Sequence, residues 1–381
     1  MVSAIPGRSL TQRVGTVGLW LSLVGGPAQQ LQSPPTLSDL KPPTVAMTEQ
    51  ERAEPPTAST LILDQPHERE EIMFSCGKPQ DPVTDLREAF LPAFERPSQP
   101  RIFFGGGPPN HEALRRFWRY AGGNDARIVV IGWGSTQSEH YYTSLEAAMR
   151  QAIEQLAIDA GADPESFKLN ILKMPDLEIL ENGERDFNIP LDLLQGASGV
   201  FILGGDQVPL SEALRRTGAA QLLKERLEIG DTALAGTSAG TAIGSDPMVG
   251  GYGSLPTVAA DQVFIQGPTV TWMDKGVEQS HPFFVGSGLG VVPDNVLLEQ
   301  HLLRPGRHER LCTAVTVIPN IEWGVGIDDS MAASWNGNTV TAVGEGRVLI
   351  VGKNADGTVV EVASLRNGDV FDFAKGRVVS P

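Results

Sequence analysis

Residues 199–245 read GVFILGGDQVPLSEALRRTGAAQLLKERLEIGDTALAGTSAGTAIGS. GVFILGGDQ (199–207) has the make-up of a strand closed by a glycine turn, and SEALRRTGAAQLLKERLEIG (211–230) that of a helix. TALAGT (232–237) is a second strand, and SAGTAIGS (238–245) opens another helix. Strand, helix and strand in this order make a parallel unit. Apolar runs without alternation mark a sheet covered on both faces.

The same rhythm extends upstream. RIFFGGG (101–107) is strand then turn, followed by the amphipathic NHEALRRFWRYAG (110–122). ARIVVIGWG (126–134) is a strand, SLEAAMRQAIEQLAIDAG (144–161) a long helix with a glycine stop, and FKLNILKMP (167–175) a strand. Downstream the strands shorten: VGSGLGVVPD (285–294), CTAVTVIP (312–319), GVGIDDSMAASW (324–335), TVTAVGEGRVLIVG (339–352) and TVVEVASL (358–365). The last four suggest antiparallel pairing, with turns at NGN (336–338), GEG (344–346) and NADG (354–357). The fold class expected is α/β: a mostly parallel sheet flanked by helices, with additional C-terminal antiparallel strands, over residues 98–381. Residues 1–97 read as a largely disordered leader and linker, proline-rich from Pro27 to Pro82, with a short lead-in helix at Asp85–Phe94. Arg8 and Arg13 ahead of VGTVGLWLSLVGG, followed by Gly26-Pro27-Ala28, fit an export signal over 1–28; initiation at Met47 would remove it and leave a cytoplasmic protein.

Composition narrows the function classes. The chain has 381 residues and a net charge of −16, from 46 acidic and 30 basic side chains, which repels nucleic acid and anionic lipid. No apolar run reaches the ~18–20 residues of a membrane span. Cys76 and Cys312 form no C-x-x-C, and no histidine is placed to share a metal with either, so both are read as packing thiols and no metal or cofactor is expected. Sequence self-similarity is absent, which removes solenoids and propellers. Only six histidines are present, which makes a catalytic one easy to seek.

In GTSAG, Ser238 lies between Gly236 and Gly240 at a strand-to-helix junction. That pattern lifts a serine hydroxyl clear of a sheet, although small residues also simply let a helix pack close to a strand. A nucleophilic serine needs backbone donors for the developing oxyanion; the amide of Ala239 and the Gly204–Gly205 turn are candidates. It also needs a base and an orienting carboxylate. His281, His301 and His308 follow Ser238, and His301, after the extended GLGVVPDN, falls just past a strand end. Asp328 or Asp329 in GVGIDD could orient it. An α/β-hydrolase would place its acid between serine and histidine, at Asp246, Asp261, Asp274 or Asp294. The strand-end acids come later, so the order Ser, His, Asp is favoured.

FILGGDQ, AGTSAGTAIGSDPMVGG, GLGVVPDNVLLEQHLLRPGRHERL and GVGIDD, in that order, resemble the cyanophycinase branch of the serine peptidases related to aspartyl dipeptidase. TAVGEGRVLIV also resembles a hairpin that follows in that family, and the likeness runs from Arg101 to Phe373. It implies a class I glutamine-amidotransferase-like fold, a homodimer, and cleavage of cyanophycin, a polyaspartate with arginine on each β-carboxyl, into β-aspartyl-arginine. It further implies Ser238 as nucleophile, His301 as base, Asp329 as acid, and Gly205 and Ala239 as oxyanion donors. Gln207, Glu299, Gln300, Arg307 and Arg310 would line the substrate pocket, with Glu299 facing a substrate guanidinium and the arginines, Arg304 included, facing carboxylates. The chain departs from the family pattern at Asp329, where the family has Glu, at Glu299 and Leu302 (E-Q-H-L for D-Q-H-F), and at Pro305, where an arginine is expected. A dipeptidase for aspartyl or isoaspartyl peptides and a non-catalytic binding homologue remain as alternatives.

Overall fold

The computed structural model describes residues 101–252 and 265–379. The leader read over 1–97, its export signal and the lead-in helix at Asp85–Phe94 lie outside the described residues.

The first half runs β1 (Arg101–Gly105), α1 (His111–Tyr120), β2 (Ile128–Ile131), α2 (Ser138–Asp159), β3 (Ile171–Lys173), α3 (Asp192–Gly196), β4 (Gly199–Ile202), α4 (Gln207–Arg216), α5 (Ala219–Glu228), β5 (Ala233–Thr237) and α6 (Ala239–Ala242). Its five strands are parallel, in the order β1-β5-β4-β2-β3. Every residue of β2, β4 and β5 is buried, as strands covered on both faces require. The stretch 211–230, read as one helix, is two. Asp206 caps α4 by accepting from the Val208 amide at 2.9 Å, so the helix starts at Gln207. It stops at Thr217, and Gly218, at φ +81°, turns the chain into α5. The helix expected over 238–245 is the single turn α6.

The second half runs β6 (Met248–Tyr252), β7 (Ile265–Asp274), β8 (Val277–Gly286), β9 (Val296–Gln300), α7 (Arg307–Val317), β10 (Trp323–Ile327), β11 (Met331–Asn336), β12 (Thr339–Gly344), β13 (Val348–Lys353), β14 (Val359–Leu365), β15 (Val370–Asp372) and β16 (Arg377–Val379). Strands β11, β12, β15 and β16 extend the main sheet antiparallel from β1, giving nine strands. Strands β14-β13-β10-β9 form a second sheet, and β6-β8-β7 a third.

Four expectations for this half are corrected, the first being that GVGIDDSMAASW is one strand: it is β10 and β11, which belong to different sheets. VGSGLGVVPD is not a strand: past Gly286 its amides turn to the end of α6, Leu289 N to Ile243 O at 2.5 Å and Val291 N to Gly244 O at 2.9 Å. CTAVTVIP is mostly helix α7. Strands β9 and β10 are parallel neighbours and need a crossover, and Leu311, Ala314 and Val315 give that helix a buried face despite its β-branched residues. The GEG segment is no hairpin either; β12 and β13 belong to different sheets, and Gly344 and Gly346, at φ +118° and +136°, carry the chain between them. The turns at NGN and NADG do join antiparallel partners, β11–β12 and β13–β14.

The layers follow from which side chains face which way. Phe103, Ile128, Val130, Phe201 and Ala235 pack under α1 and α2. Ile102, Phe104, Val129, Ile131 and Ile202 point to the other face, towards α4, α5 and the near side of the second sheet. Helix α7 covers the far side of that sheet through Leu311, Ala314 and Val315, packed with Leu297, Leu302 and Leu349. The fold is thus α/β, a sheet with a parallel half flanked by helices and an antiparallel C-terminal extension.

Candidate active site

The carboxyl ends of β1, β5 and β4 in one sheet, and of β9 and β10 in the other, meet at one place. Ser238 follows β5 at φ +53° and ψ −115°, a conformation that non-glycine residues rarely adopt. The flanking glycines permit it: a Cβ on Gly236 would lie 2.5 Å from Gly240 O, and one on Gly240 2.3 Å from Ile202 O. Both separations are shorter than any tolerated contact, so GTSAG is required by close approach of backbone to backbone. Parallel pairing of β9 with β10 sets Gln300 beside Ile327. The next residues of the two strands, His301 and then Asp328-Asp329, therefore leave the second sheet together.

Ser238 Oγ lies 2.8 Å from His301 Nε2. His301 Nδ1 hydrogen-bonds Asp329 Oδ1. A carboxylate at Nδ1 keeps the proton of the neutral ring on that nitrogen, leaving Nε2 as acceptor for the serine hydroxyl. Burial pushes the His301 pKa below its ordinary value; the Asp329 bond and charge oppose this, while Arg304 and Arg307 add to it. The ring is therefore neutral around pH 7.

Asp328, the other acid weighed from the sequence, is turned away. Its Oδ2 is 4.0 Å from Arg347 Nε, and its buried Oδ1 has no hydrogen-bond partner among the described residues. Burial raises its pKa, against the opposing Arg347 charge.

The glycine turn after β4 stands beside the serine. A Cβ on Gly204 would be 3.5 Å from Ser238 Oγ, and Gly205, at φ +137°, is pressed against Gly134, whose carbonyl oxygen would be 2.3 Å from an added Cβ. Ser238, His301, Asp329, Gly205 and Ala239 are thus gathered at one set of strand ends.

The residues expected to line a substrate pocket differ from that picture. Gln207 is buried at the head of α4 and donates Nε2 to the carbonyls of Val249, at 3.3 Å, and Gly250. Glu299 and Arg310 are each only 1% exposed and already paired: Arg310 Nε and Nη2 donate to Oε2 and Oε1, both at 2.7 Å. Arg307 adds a longer contact to Glu299 at 3.4 Å. Glu299 is therefore neutralised from inside the protein, and the expectation that it faces a substrate guanidinium is corrected. Gln300 is buried on β9 beside them. Arg304 is exposed, 3.8 Å from Asp329 Oδ2.

The turn read after β1 was not linked to the site from sequence. Gly105 O accepts from Ser238 N and Gly106 O from His301 N, both at 3.1 Å. A Cβ on Gly107 would fall 2.7 Å from Asp329 Oδ1, and one on Gly106 2.2 Å from the carbonyls of Ile327 and Asp328. Thr241 Oγ1 donates to Gly105 O at 2.7 Å, and Thr237 Oγ1 to Gly107 O. The available signal was GGG at a strand end, more glycine than an ordinary turn needs.

One neighbour of Cys312 was not foreseen from the sequence. On helix α7 it shares a face with His308, Sγ to Nε2 3.8 Å, and that imidazole also meets Glu361 at 3.1 Å. Burial and the nearby acids push the thiol up to about 11, so it is not a ready nucleophile. Among the described residues no group of three or more His, Cys, Asp or Glu could hold a metal ion, and no helix is long and apolar enough to cross a membrane.

Comparison with known proteins bears on this site directly. Residues 166–255, which include the Gly204–Gly205 turn and the Ser238 elbow, match the model of peptidase family S51. Cyanophycinase of Nostoc sp. is 30% identical over 241 residues, 63% of this chain and 68% of the relative. Cyanophycinase of Geminocystis herdmanii is 28% identical over 244 residues, 63% and 74% of the two chains. A crystal structure of a peptidase from an acI-B1 actinobacterium aligns over 74% of this chain and 99% of that one, with 18% identity and a TM-score of 0.47. With one relative at 30% identity over more than two thirds of its own length, and the family match spanning the serine elbow, the chain belongs to peptidase family S51 and is a serine-type peptidase.

Proposed function

We propose that residues 98–381 form an exopeptidase domain that degrades cyanophycin to β-aspartyl-arginine, with Ser238 as nucleophile, His301 as general base and Asp329 as orienting acid. The observation that carries the reading is the 2.8 Å contact of Ser238 Oγ with His301 Nε2, backed by Asp329 on Nδ1. The substrate rests on the relatives named cyanophycinase and on the cations of Arg304 and Arg307 beside the site, which suit the carboxylates of an aspartyl chain.

In this mechanism His301 Nε2 takes the Ser238 proton as Oγ bonds to the scissile backbone carbonyl carbon. The amides of Gly205 and Ala239 hold the oxyanion. The C–N bond then breaks as His301 returns the proton to the leaving amine, giving an acyl-enzyme. Water, deprotonated by the same imidazole, releases the acid and restores the serine. The low pKa of His301 favours its base form from the outset.

The closed Glu299–Arg310 pair supports a second reading, a dipeptidase acting on small aspartyl or isoaspartyl peptides, because no unpaired Glu299 carboxylate waits for a polymer's guanidinium. Purified protein incubated with insoluble cyanophycin, followed by mass spectrometry of the supernatant, separates the two. Soluble β-aspartyl-arginine, absent with Ser238→Ala, is the expected result. Turnover of small aspartyl peptides without release from the polymer would replace the first reading by the second. A homodimer belongs to the same proposal, and light scattering checks it.

A further inference from the structure

We propose that Thr237 is a positioning residue that locks the Gly105–Gly106–Gly107 turn and through it sets Ser238, His301 and Asp329 relative to one another. The inference rests on the triad reading above. The three groups come from two different sheets, Ser238 from the end of β5 in the first and His301 and Asp329 from the ends of β9 and β10 in the second. No strand ladder joins β5 to either β9 or β10, so something else must fix the distance between the serine and the pair it works with.

The glycine turn is placed to do it. Each of its residues meets one member of the triad: Gly105 O holds the Ser238 amide and Gly106 O the His301 amide, both at 3.1 Å, while Gly107 packs on the Cα, Cβ and Oδ1 of Asp329. Gly106 N also donates to Met331 O at 3.1 Å, just past the Asp328–Ser330 turn. Side chains are excluded from the contact face, since a Cβ on Gly106 or Gly107 would lie 2.2 Å or 2.7 Å from the acid loop. A turn without side chains has little stiffness of its own. Its two outer carbonyls are instead held by the hydroxyls that flank the nucleophile in sequence, Thr241 on Gly105 and Thr237 on Gly107. Among the described residues, the hydrogen bond to Gly107, the end of the turn that touches Asp329, comes from Thr237. Its side chain is buried, so water cannot replace the hydroxyl if it is removed.

The test compares Thr237→Val, which removes the hydroxyl at similar volume, with Thr237→Ser, which keeps it. Active sites are titrated with a fluorophosphonate so that rates are per competent serine. Thr237→Val is expected to lower kcat by about tenfold to about 100-fold with KM within about twofold, the range a misplacement of up to ~1 Å produces. With Asp329 loosened, His301 loses the contact that raises its pKa, so the acidic limb of kcat/KM moves to lower pH. Thr237→Ser restores both. A merely structural threonine would reduce the titratable fraction and leave the rate per site and the pH limb unchanged, and that result overturns the inference while leaving the triad intact. Turnover retained by Ser238→Ala would overturn the triad and the inference together.

Discussion

Replacing Asp329 with Asn keeps the shape of the side chain and removes its charge, and the matched exchange Asp328→Asn separates the two adjacent acids. Asp329 is the carboxylate bonded to His301 Nδ1, and its side chain is 49% exposed. A unit charge about 4 Å from the imidazolium, at the effective dielectric of about 20 that suits such a site, contributes about 4 kcal/mol, or about 10³-fold in rate. Serine proteases with a buried acid lose about 10⁴-fold on this exchange, and the solvent around Asp329 accounts for the smaller figure here. The lost charge also removes what holds the His301 pKa up, so the residual activity should carry its acidic limb at lower pH. Asp328 touches neither ring nitrogen and lies 4.0 Å from Arg347, so Asp328→Asn should change kcat by less than about tenfold. The assay is kcat and kcat/KM across pH 4 to about pH 9 for wild type and both variants. A crippled Asp328→Asn beside an Asp329→Asn within about threefold of wild type would refute the assignment of Asp329.

Two further outcomes follow from the same geometry. Arg304→Ala removes a cation that disfavours the imidazolium and leaves the Asp329 carboxylate less neutralised, so His301 moves back up and the acidic limb of kcat/KM shifts to higher pH; because Arg304 is exposed, the shift should stay below about one unit and shrink with added salt. Glu299→Gln leaves Arg310 buried without its counter-charge and should cost about 3–5 kcal/mol in urea unfolding, part of which Glu299→Met with Arg310→Met should recover; an unchanged midpoint would return Glu299 to the open site.

How far the sequence could be read depended on where each contact partner sat. The parallel strands and GTSAG were legible because their constraint is local: period, length and two glycines around Ser238 suffice. His301 was found through an element that does not exist, since GLGVVPDN is not a strand and β9 is VLLEQ, yet the strand end fell at the same residue. Helix α7 was misread because Thr313, Val315, Thr316, Val317 and Ile318 carry β propensity, whereas the requirement for a crossover between β9 and β10 appears only once their pairing is known. The same error hid the His308–Cys312 contact, which exists only at helical spacing. The closed pair of Glu299 and Arg310, and the contacts of Gly105–Gly107, depend on residues distant in sequence, and composition carries no trace of them. The long hairpin of β7 and β8 did leave a signal: Lys275-Gly276, at φ +49° and +80° between the paired Asp274 and Val277, is the two-residue turn that such hairpins favour.

The central claim is that Ser238, activated by His301, forms the covalent intermediate. Incubating the native protein with a fluorophosphonate and mapping the modified peptide by mass spectrometry tests it most directly. One adduct per chain is expected, on Ser238, with hydrolysis lost in step with labelling and labelling slowed at least ~10²-fold by His301→Ala. An adduct on another residue that abolishes hydrolysis, or full hydrolysis by a protein labelled at Ser238, would contradict it.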